Sequence, residues 1–291
     1  MFYGSLVALV TPMDSEGFLD KARMTNLIEM HIEQGTDGFV ILGTTGESPT
    51  ITDEERKDIV QFSVNQVAGR KPVIIGTGTN STAKSIHYTK QAMDAGADAC
   101  LVVVPYYNKP TQEGMYQHFK TIADAVAIPQ ILYNVPGRTS SDLLPETVAR
   151  LAHVPNIIGI KEASGKLERT IEILELCNGE IDVYSGEDAL TTEIILAGGK
   201  GVISVTANVA PKLMHEMCQY ALQGEDDKAR TIDEKLQALH RDLFIEGNPA
   251  PVKWALYKMG LIESGIRLPL LMLSERNQAA VLSALQHAGI L

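Results

Sequence analysis

Short apolar, β-branched runs recur eight times along the chain, each followed by a stretch with helical spacing, and this alternation restricts the fold more than any other feature. The runs fall at 6–10, 38–42, 72–76, 100–104, 130–134, 157–161, 182–185 and 201–205, and the helical stretches at 21–34, 53–67, 82–95, 112–126, 145–152, 167–177, 188–197 and 212–223. Runs apolar on both faces are expected of buried parallel strands. The helical stretches carry a single apolar stripe, as in Met24, Leu27, Ile28 and Ile32, and Thr52 and Ser81 stand where N-caps are expected. Eight right-handed βαβ units in about 225 residues match an α/β protein of the closed (β/α)8 class, the TIM barrel. An open, doubly wound sheet is the structural alternative. Its glycine fingerprint does not follow the first run, and the nearest approach, Gly76-Thr-Gly78-Thr-Asn-Ser81, lacks the third glycine. Beyond Gly224 the pattern turns purely helical, at 225–244, 251–259 and 274–288. The sequence therefore predicts a catalytic barrel over 1–224 and a C-terminal helical appendage over 225–291.

Charge and cysteine usage exclude several classes of function. Asp and Glu number 36 against 25 Lys and Arg, with no basic run, so a nucleic-acid partner is not expected. The opening segment lacks a basic leader and a small-residue cleavage site, and its apolar stretch is far short of a membrane span, so a cytoplasmic protein is expected. Cys100, Cys177 and Cys218 are odd in number and set in apolar patterns, which fits buried thiols in a reducing compartment. The seven histidines form no ligand spacing, and no bound metal is expected.

In a closed barrel the chemistry sits at the carboxyl ends of the strands. Those ends here carry Gly43-Thr44-Thr45-Gly46-Glu47-Ser48, Pro105-Tyr106-Tyr107-Asn108, Tyr133-Asn134-Val135-Pro136-Gly137-Arg138-Thr139 and Lys161-Glu162-Ala163-Ser164. Lys161 closes a run that should be buried, whereas Lys71 and Lys200 precede their strands and Lys109 lies beyond a turn. A buried ammonium is costly, which favours the free, nucleophilic amine. The same lysine could instead snorkel outward or pair with Glu162. Arg138, one tight turn after Tyr133, offers a planar fork for a carboxylate, or is an ordinary loop arginine. Tyr133 is either a core aromatic or a proton carrier on that strand end. The Thr44–Thr45 turn can present main-chain N–H groups to an anion, or simply cap the next segment.

Taken together, Gly43-Thr-Thr-Gly-Glu47, Pro105-Tyr-Tyr-Asn108, Tyr133-Asn-Val-Pro136 with Arg138-Thr139, Gly159-Ile-Lys161-Glu-Ala163, Gly201-Val-Ile-Ser-Val-Thr206 and Asn248-Pro-Ala-Pro-Val-Lys-Trp254 resemble the pyruvate-dependent class I lyase family. Dihydrodipicolinate synthase and N-acetylneuraminate lyase belong to that family, and the likeness is collinear over nearly the whole chain. It implies condensation of pyruvate with L-aspartate 4-semialdehyde to 4-hydroxy-tetrahydrodipicolinate, the first committed step toward diaminopimelate and lysine, without a cofactor. On this resemblance Lys161 forms the imine, and Tyr133, Thr44 and Tyr107 move protons, Tyr107 from a neighbouring subunit. Thr44 and Thr45 hold the pyruvate carboxylate, Arg138 holds that of the semialdehyde, and Gly186 and Ile203 line the site. A homotetramer, as a dimer of dimers, is also implied. Related aldolases act on sugar-acid aldehydes, and Arg138 favours the semialdehyde over a polyol. A non-catalytic binding barrel is opposed by retention of the lysine, tyrosine, threonines and arginine.

Feedback-inhibited relatives bind lysine at a subunit interface, and Ser48, Asn80 and Tyr106 stand at matching positions. Asp53, Arg56 and Lys84 depart from the histidine and glutamate of lysine-sensitive members. Lys84 would set like charges together, a penalty of about 1–3 kcal/mol if partly buried, so lysine inhibition is expected to be weak or absent. Asp53 and Arg56 could otherwise be just the first turn of an exposed helix.

Overall fold

The computed structural model describes residues 2–291. Strands β1 (Gly4–Ala8), β2 (Gly38–Ile41), β3 (Val73–Gly76), β4 (Ala99–Val103), β5 (Gln130–Asn134), β6 (Ile157–Glu162), β7 (Asp182–Ser185) and β8 (Gly201–Ser204) pair in parallel in chain order, and β8 closes onto β1. Closure removes the open-sheet alternative. Around the strands run α1 (Lys21–Glu33), α2 (Asp53–Val67), α3 (Thr82–Asp94), α4 (Gln112–Ala125), α5 (Pro136–Thr139), α6 (Pro145–Ala152), α7 (Leu167–Cys177), α8 (Thr191–Leu196) and α9 (Pro211–Leu222). The appendage consists of α10 (Asp226–Asp242), α11 (Ala250–Lys258) and α12 (Glu275–His287).

Period-two alternation along the strands sorts their side chains into two apolar layers. Leu6, Ala8, Val40, Ile74, Leu101, Ile131, Tyr133, Tyr184 and Ile203 fill the inside of the barrel. Val7, Phe39, Ile41, Ile75, Val102, Leu132, Ile160 and Val183 face outward into the layer shared with the helices. That outer layer continues without a break into Leu236, Leu239, Leu243, Trp254 and Leu256 of the appendage. Burial of each such side chain is worth about 1.5–3 kcal/mol, so the appendage and the barrel share one apolar layer that holds them together.

Local signals locate most helix starts. Thr52 accepts from the Glu55 N–H at 3.2 Å while the Glu55 carboxylate takes the Thr52 N–H at 3.0 Å, a reciprocal cap on α2. Ser81 caps α3 through the Lys84 N–H.

Among the elements that differ from the sequence expectation, three have a local explanation or a place at the rim. The first strand lies two residues earlier than expected, because the Val10 N–H leaves the sheet for the Asn208 side chain at 3.1 Å. The helix expected at 188–197 begins as a tight 3-10 turn, Asp188–Leu190, since the Asp188 carboxylate bends inward to accept the N–H groups of Val205 and Thr206, each at 3.0 Å. The single turn α5 after β5 was not anticipated. No described helix is long and apolar enough to cross a membrane. All three cysteines are free and buried. Among the described residues no cluster of three or more His, Cys, Asp or Glu could hold a metal ion.

Candidate active site

Lys161 is the fifth residue of β6, and parity decides where it points. Ile160 faces the outer layer, so Lys161 is directed into the barrel, where it lies 6 % exposed. Its neighbour Glu162 takes the outward side. There the carboxylate accepts from Asn134 Nδ2 at 3.0 Å and the Ser164 N–H at 2.7 Å, and burial raises its pKa against those bonds. Lys161 therefore has no partner in Glu162. Cross-strand registry sets Tyr133 of β5 directly beside it, and the ammonium nitrogen lies 4.5 Å from the Tyr133 ring centroid. No described residue forms an ion pair or a hydrogen bond with that nitrogen.

Lys161 opens onto a narrow cavity of about 50 Å³ at the carboxyl rim of the barrel. Thr44, Thr45, Tyr133, Arg138, Gly186 and Ile203 share that cavity with it. The Thr44–Thr45 turn is wound tightly, the Gly46 N–H donating to the Gly43 carbonyl and the Glu47 N–H to the Thr44 carbonyl, both at 3.1 Å. The N–H groups of Thr44 and Thr45 themselves donate to no described acceptor. Unengaged adjacent amides of this kind form a concave seat for an anion. Leu42 and Glu47, flanking the turn, hold φ of 57° and 56°, a left-handed conformation that costs a non-glycine residue on the order of 1 kcal/mol or more. Something else in the fold must keep the turn in place.

Gly186 follows β7, and its lack of a side chain is a spatial requirement. A Cβ there would stand 3.0 Å from Lys161 Cε and 2.5 Å from the Ala163 Cβ. Glu187, next in the chain, also lines the cavity; burial raises its pKa while the charges of Lys161 and Arg138 pull it down. Arg138 sits on α5, exposed, with no described partner for its guanidinium. Phe244 and Asn248 reach the cavity from the appendage, and Asn248 Nδ2 donates to Thr45 Oγ1 at 2.9 Å.

Comparison with known proteins places the whole chain in one family. The dihydrodipicolinate synthetase family matches residues 1–288 of the chain. The chain belongs to that family. It is 58 % identical over 291 residues to the 4-hydroxy-tetrahydrodipicolinate synthase of Methylococcus capsulatus and 59 % identical over 291 residues to that of Pseudomonas putida, covering 100 % of both chains in each case. Among solved structures, the chloride-inhibited dihydrodipicolinate synthase of Acinetobacter baumannii complexed with pyruvate is 50 % identical, with a TM-score of 0.99 and 100 % coverage of both chains.

Not every residue singled out from the dihydrodipicolinate synthetase resemblance meets in the first cavity. Tyr107 lines neither it nor its neighbour, and at 86 % exposure and φ 75° it projects away from the chain. A second cavity, about 410 Å³, shares Thr44, Tyr133 and Arg138 with the first and is lined further by Ser48, Asn80 and Tyr106. Arg56 and Lys84 line it too, but differently. Arg56 is 4 % exposed, donates to the Gly76 carbonyl at 2.8 Å and to Ser48 Oγ, and stacks 4.3 Å from the Tyr88 ring centroid. The exposed-helix alternative thus fails for Arg56. Lys84 is 52 % exposed at its side chain and lies 3.8 Å from Asp53, whose pKa is held down chiefly by the Tyr88 hydroxyl at 2.5 Å. Solvent screens Lys84, so any repulsion of a cation in this cavity comes mainly from Arg56.

Sequence reasoning overlooked Glu187, Phe244 and, as a cavity residue, Asn248. Glu187 follows Gly186 at a strand end and was open to the same rim rule. Asn248 and Phe244 belong to the appendage, where no strand position marks a side chain as facing the barrel mouth.

Proposed function

We propose that this lyase of the dihydrodipicolinate synthetase family condenses pyruvate with L-aspartate 4-semialdehyde through an imine on Lys161. The observation that carries the proposal is the unpartnered Lys161 amine inside a cavity that also holds the free amides of Thr44 and Thr45. The amine attacks the pyruvate ketone and water is lost as the imine forms. Proton loss from the methyl carbon gives an enamine. That carbon bonds to the aldehyde carbon, whose oxygen takes up a proton. The amino group of the semialdehyde then displaces Lys161 as the ring closes, and the free amine is regenerated.

The Thr44 and Thr45 amides seat the pyruvate carboxylate, and Tyr133 carries protons with Thr44 and with Tyr107 of a second subunit. Arg138, unpaired at the mouth, takes the carboxylate of the semialdehyde. A second charged anchor of this type suits an acidic aldehyde better than a polyol. Gly186 leaves the lysine stem its space, and the Ile203 backbone completes the wall. The scheme needs neither metal nor cofactor. The exposure of Tyr107 supports a homotetramer built as a dimer of dimers, in which that ring enters a partner's site. Three free, buried thiols support a cytoplasmic setting. Net charge −11 gives no support to nucleic-acid binding. The Ser48, Asn80 and Tyr106 cavity serves as a regulatory pocket to which the buried Arg56 cation makes free lysine a poor ligand.

Borohydride reduction in the presence of pyruvate tests the imine: a mass increment localised to Lys161 is expected, and its absence overturns the reading. Turnover of pyruvate with L-aspartate 4-semialdehyde, compared with a panel of sugar aldehydes, tests the acceptor. Mixing Tyr107→Phe and Lys161→Ala chains, each inactive alone, should restore activity if Tyr107 acts across an interface.

A further inference from the structure

The turn that offers the Thr44 and Thr45 amides is held by residues from the far end of the chain. Glu47 closes the turn with its carboxylate wholly inside the protein. Glu47 Oε1 accepts from Lys253 Nζ at 2.5 Å, and Oε2 accepts the Arg267 N–H at 3.1 Å. Lys253, on α11, is 0 % exposed and donates a second bond to the Thr11 carbonyl at 3.0 Å. The Thr11 hydroxyl in turn donates to the Gly46 carbonyl at 2.7 Å, so both ends of this small network grip the same turn. Neither Glu47 nor Lys253 lines the cavity.

A buried ion pair is a poor device for stability alone, because well-packed apolar residues of the same volume generally do as well or better. What such a pair does supply is a single permitted arrangement, since each charge must meet its one partner. Here that arrangement fixes Glu47 in its left-handed conformation, two residues beyond Thr45, the second of the two amides that donate to no described acceptor. A seat for a carboxylate works only if its donors are already aimed, and errors on the order of 1 Å can cost about a hundredfold.

We propose that Glu47 and Lys253 are positioning residues for the substrate carboxylate, with Thr11 as their neutral auxiliary: the appendage clamps the Gly43–Glu47 turn so that its amides face the cavity before substrate arrives. The proposal rests on the assignment of that turn as the pyruvate seat. It predicts a defect in pyruvate affinity rather than in the chemistry of Lys161.

The experiment uses the full chain and two variants. Glu47→Gln combined with Lys253→Met removes both charges at nearly constant volume, and Thr11→Val removes only the hydroxyl contact to Gly46. Borohydride trapping is measured against pyruvate concentration, together with KM for each substrate and the thermal midpoint. The half-saturating pyruvate concentration should rise about tenfold in the double variant and two- to threefold in Thr11→Val. Trapping at saturating pyruvate should still reach the wild-type endpoint, and KM for the aldehyde should stay within about twofold. Unchanged pyruvate dependence in the double variant, with only a lower thermal midpoint, would make the pair purely structural and overturn the proposal. If the double variant does not fold, Thr11→Val decides, and an unchanged value there overturns it equally. Failure of the wild-type chain to trap pyruvate would instead remove the imine reading itself, and the seat with it.

Discussion

Two of the described lysines, Lys161 and Lys253, are buried, and the difference between them separates proposed chemistry from architecture. Lys253 is fully enclosed and spends its charge on Glu47 and the Thr11 carbonyl; burial lowers its pKa and the Glu47 carboxylate opposes the shift. Lys161 is almost as deeply set at 6 % exposure, yet its nitrogen makes no described hydrogen bond or ion pair, lies against the Tyr133 ring and opens on a cavity. Burial by itself did not make either one a nucleophile. The difference lies in the partner: Lys253 is held by a carboxylate and a carbonyl, whereas Lys161 has no hydrogen-bonded or ion-paired partner among the described residues, and that leaves it the proposed site of imine formation.

The comparison can be broken by exchanging the fates of the two residues. Lys161→Ala should abolish turnover and borohydride labelling while shifting the thermal midpoint by only a few degrees; retained labelling would show that another amine is the nucleophile. Next in size, Tyr133→Phe should lower kcat by about 10²–10⁴-fold, as loss of a proton carrier does, with imine trapping slowed rather than lost. Lys253→Met alone should show the opposite pattern from Lys161→Ala. It strands the Glu47 carboxylate in the interior and should cost about 3–5 kcal/mol of stability in denaturant titrations. A loss under 1 kcal/mol would mean that Lys253 is not the buried structural partner described above.

Two smaller effects sharpen the account of the rim. Arg138→Ala should reduce kcat/KM for L-aspartate 4-semialdehyde on the order of 10–100-fold and leave pyruvate trapping nearly intact, since charge-assisted hydrogen bonds are worth about 1.5–3 kcal/mol. An equal loss for both substrates would place the guanidinium elsewhere in the cycle. Added L-lysine should change turnover least of all, and half-inhibition at low lysine would contradict the influence assigned to Arg56.

The eight strands could be read directly from the chain because burial on both faces leaves continuous apolar runs, and the rim followed from their carboxyl ends. Lys161, Tyr133 and the Thr44–Thr45 turn share the property of being strand-end residues, so one positional rule reached all of them. Asn248, Phe244 and Lys253 obey no such rule. They act on the rim through contacts that cross most of the chain, and nothing local in an apolar helix distinguishes Lys253 from a surface lysine. The burial of Arg56 escaped for a related reason. Within α2 it reads as a polar first-turn residue, and only the approach of Gly76 and Tyr88 encloses it. The early start of β1 and the interrupted start of α8 were likewise decided by single side chains, Asn208 and Asp188, capturing backbone groups just beyond the ends of β1 and β8.

The contacts of Asn248, Lys253 and Arg267 with the Thr45–Glu47 turn also set an order in time. During synthesis Lys161 and the turn emerge long before the segment that secures the turn. A nascent or truncated barrel would carry the proposed nucleophile without a finished seat for the substrate carboxylate. Full affinity for pyruvate should therefore be reached only when the last helices have docked, so an incomplete chain would bind its substrate weakly.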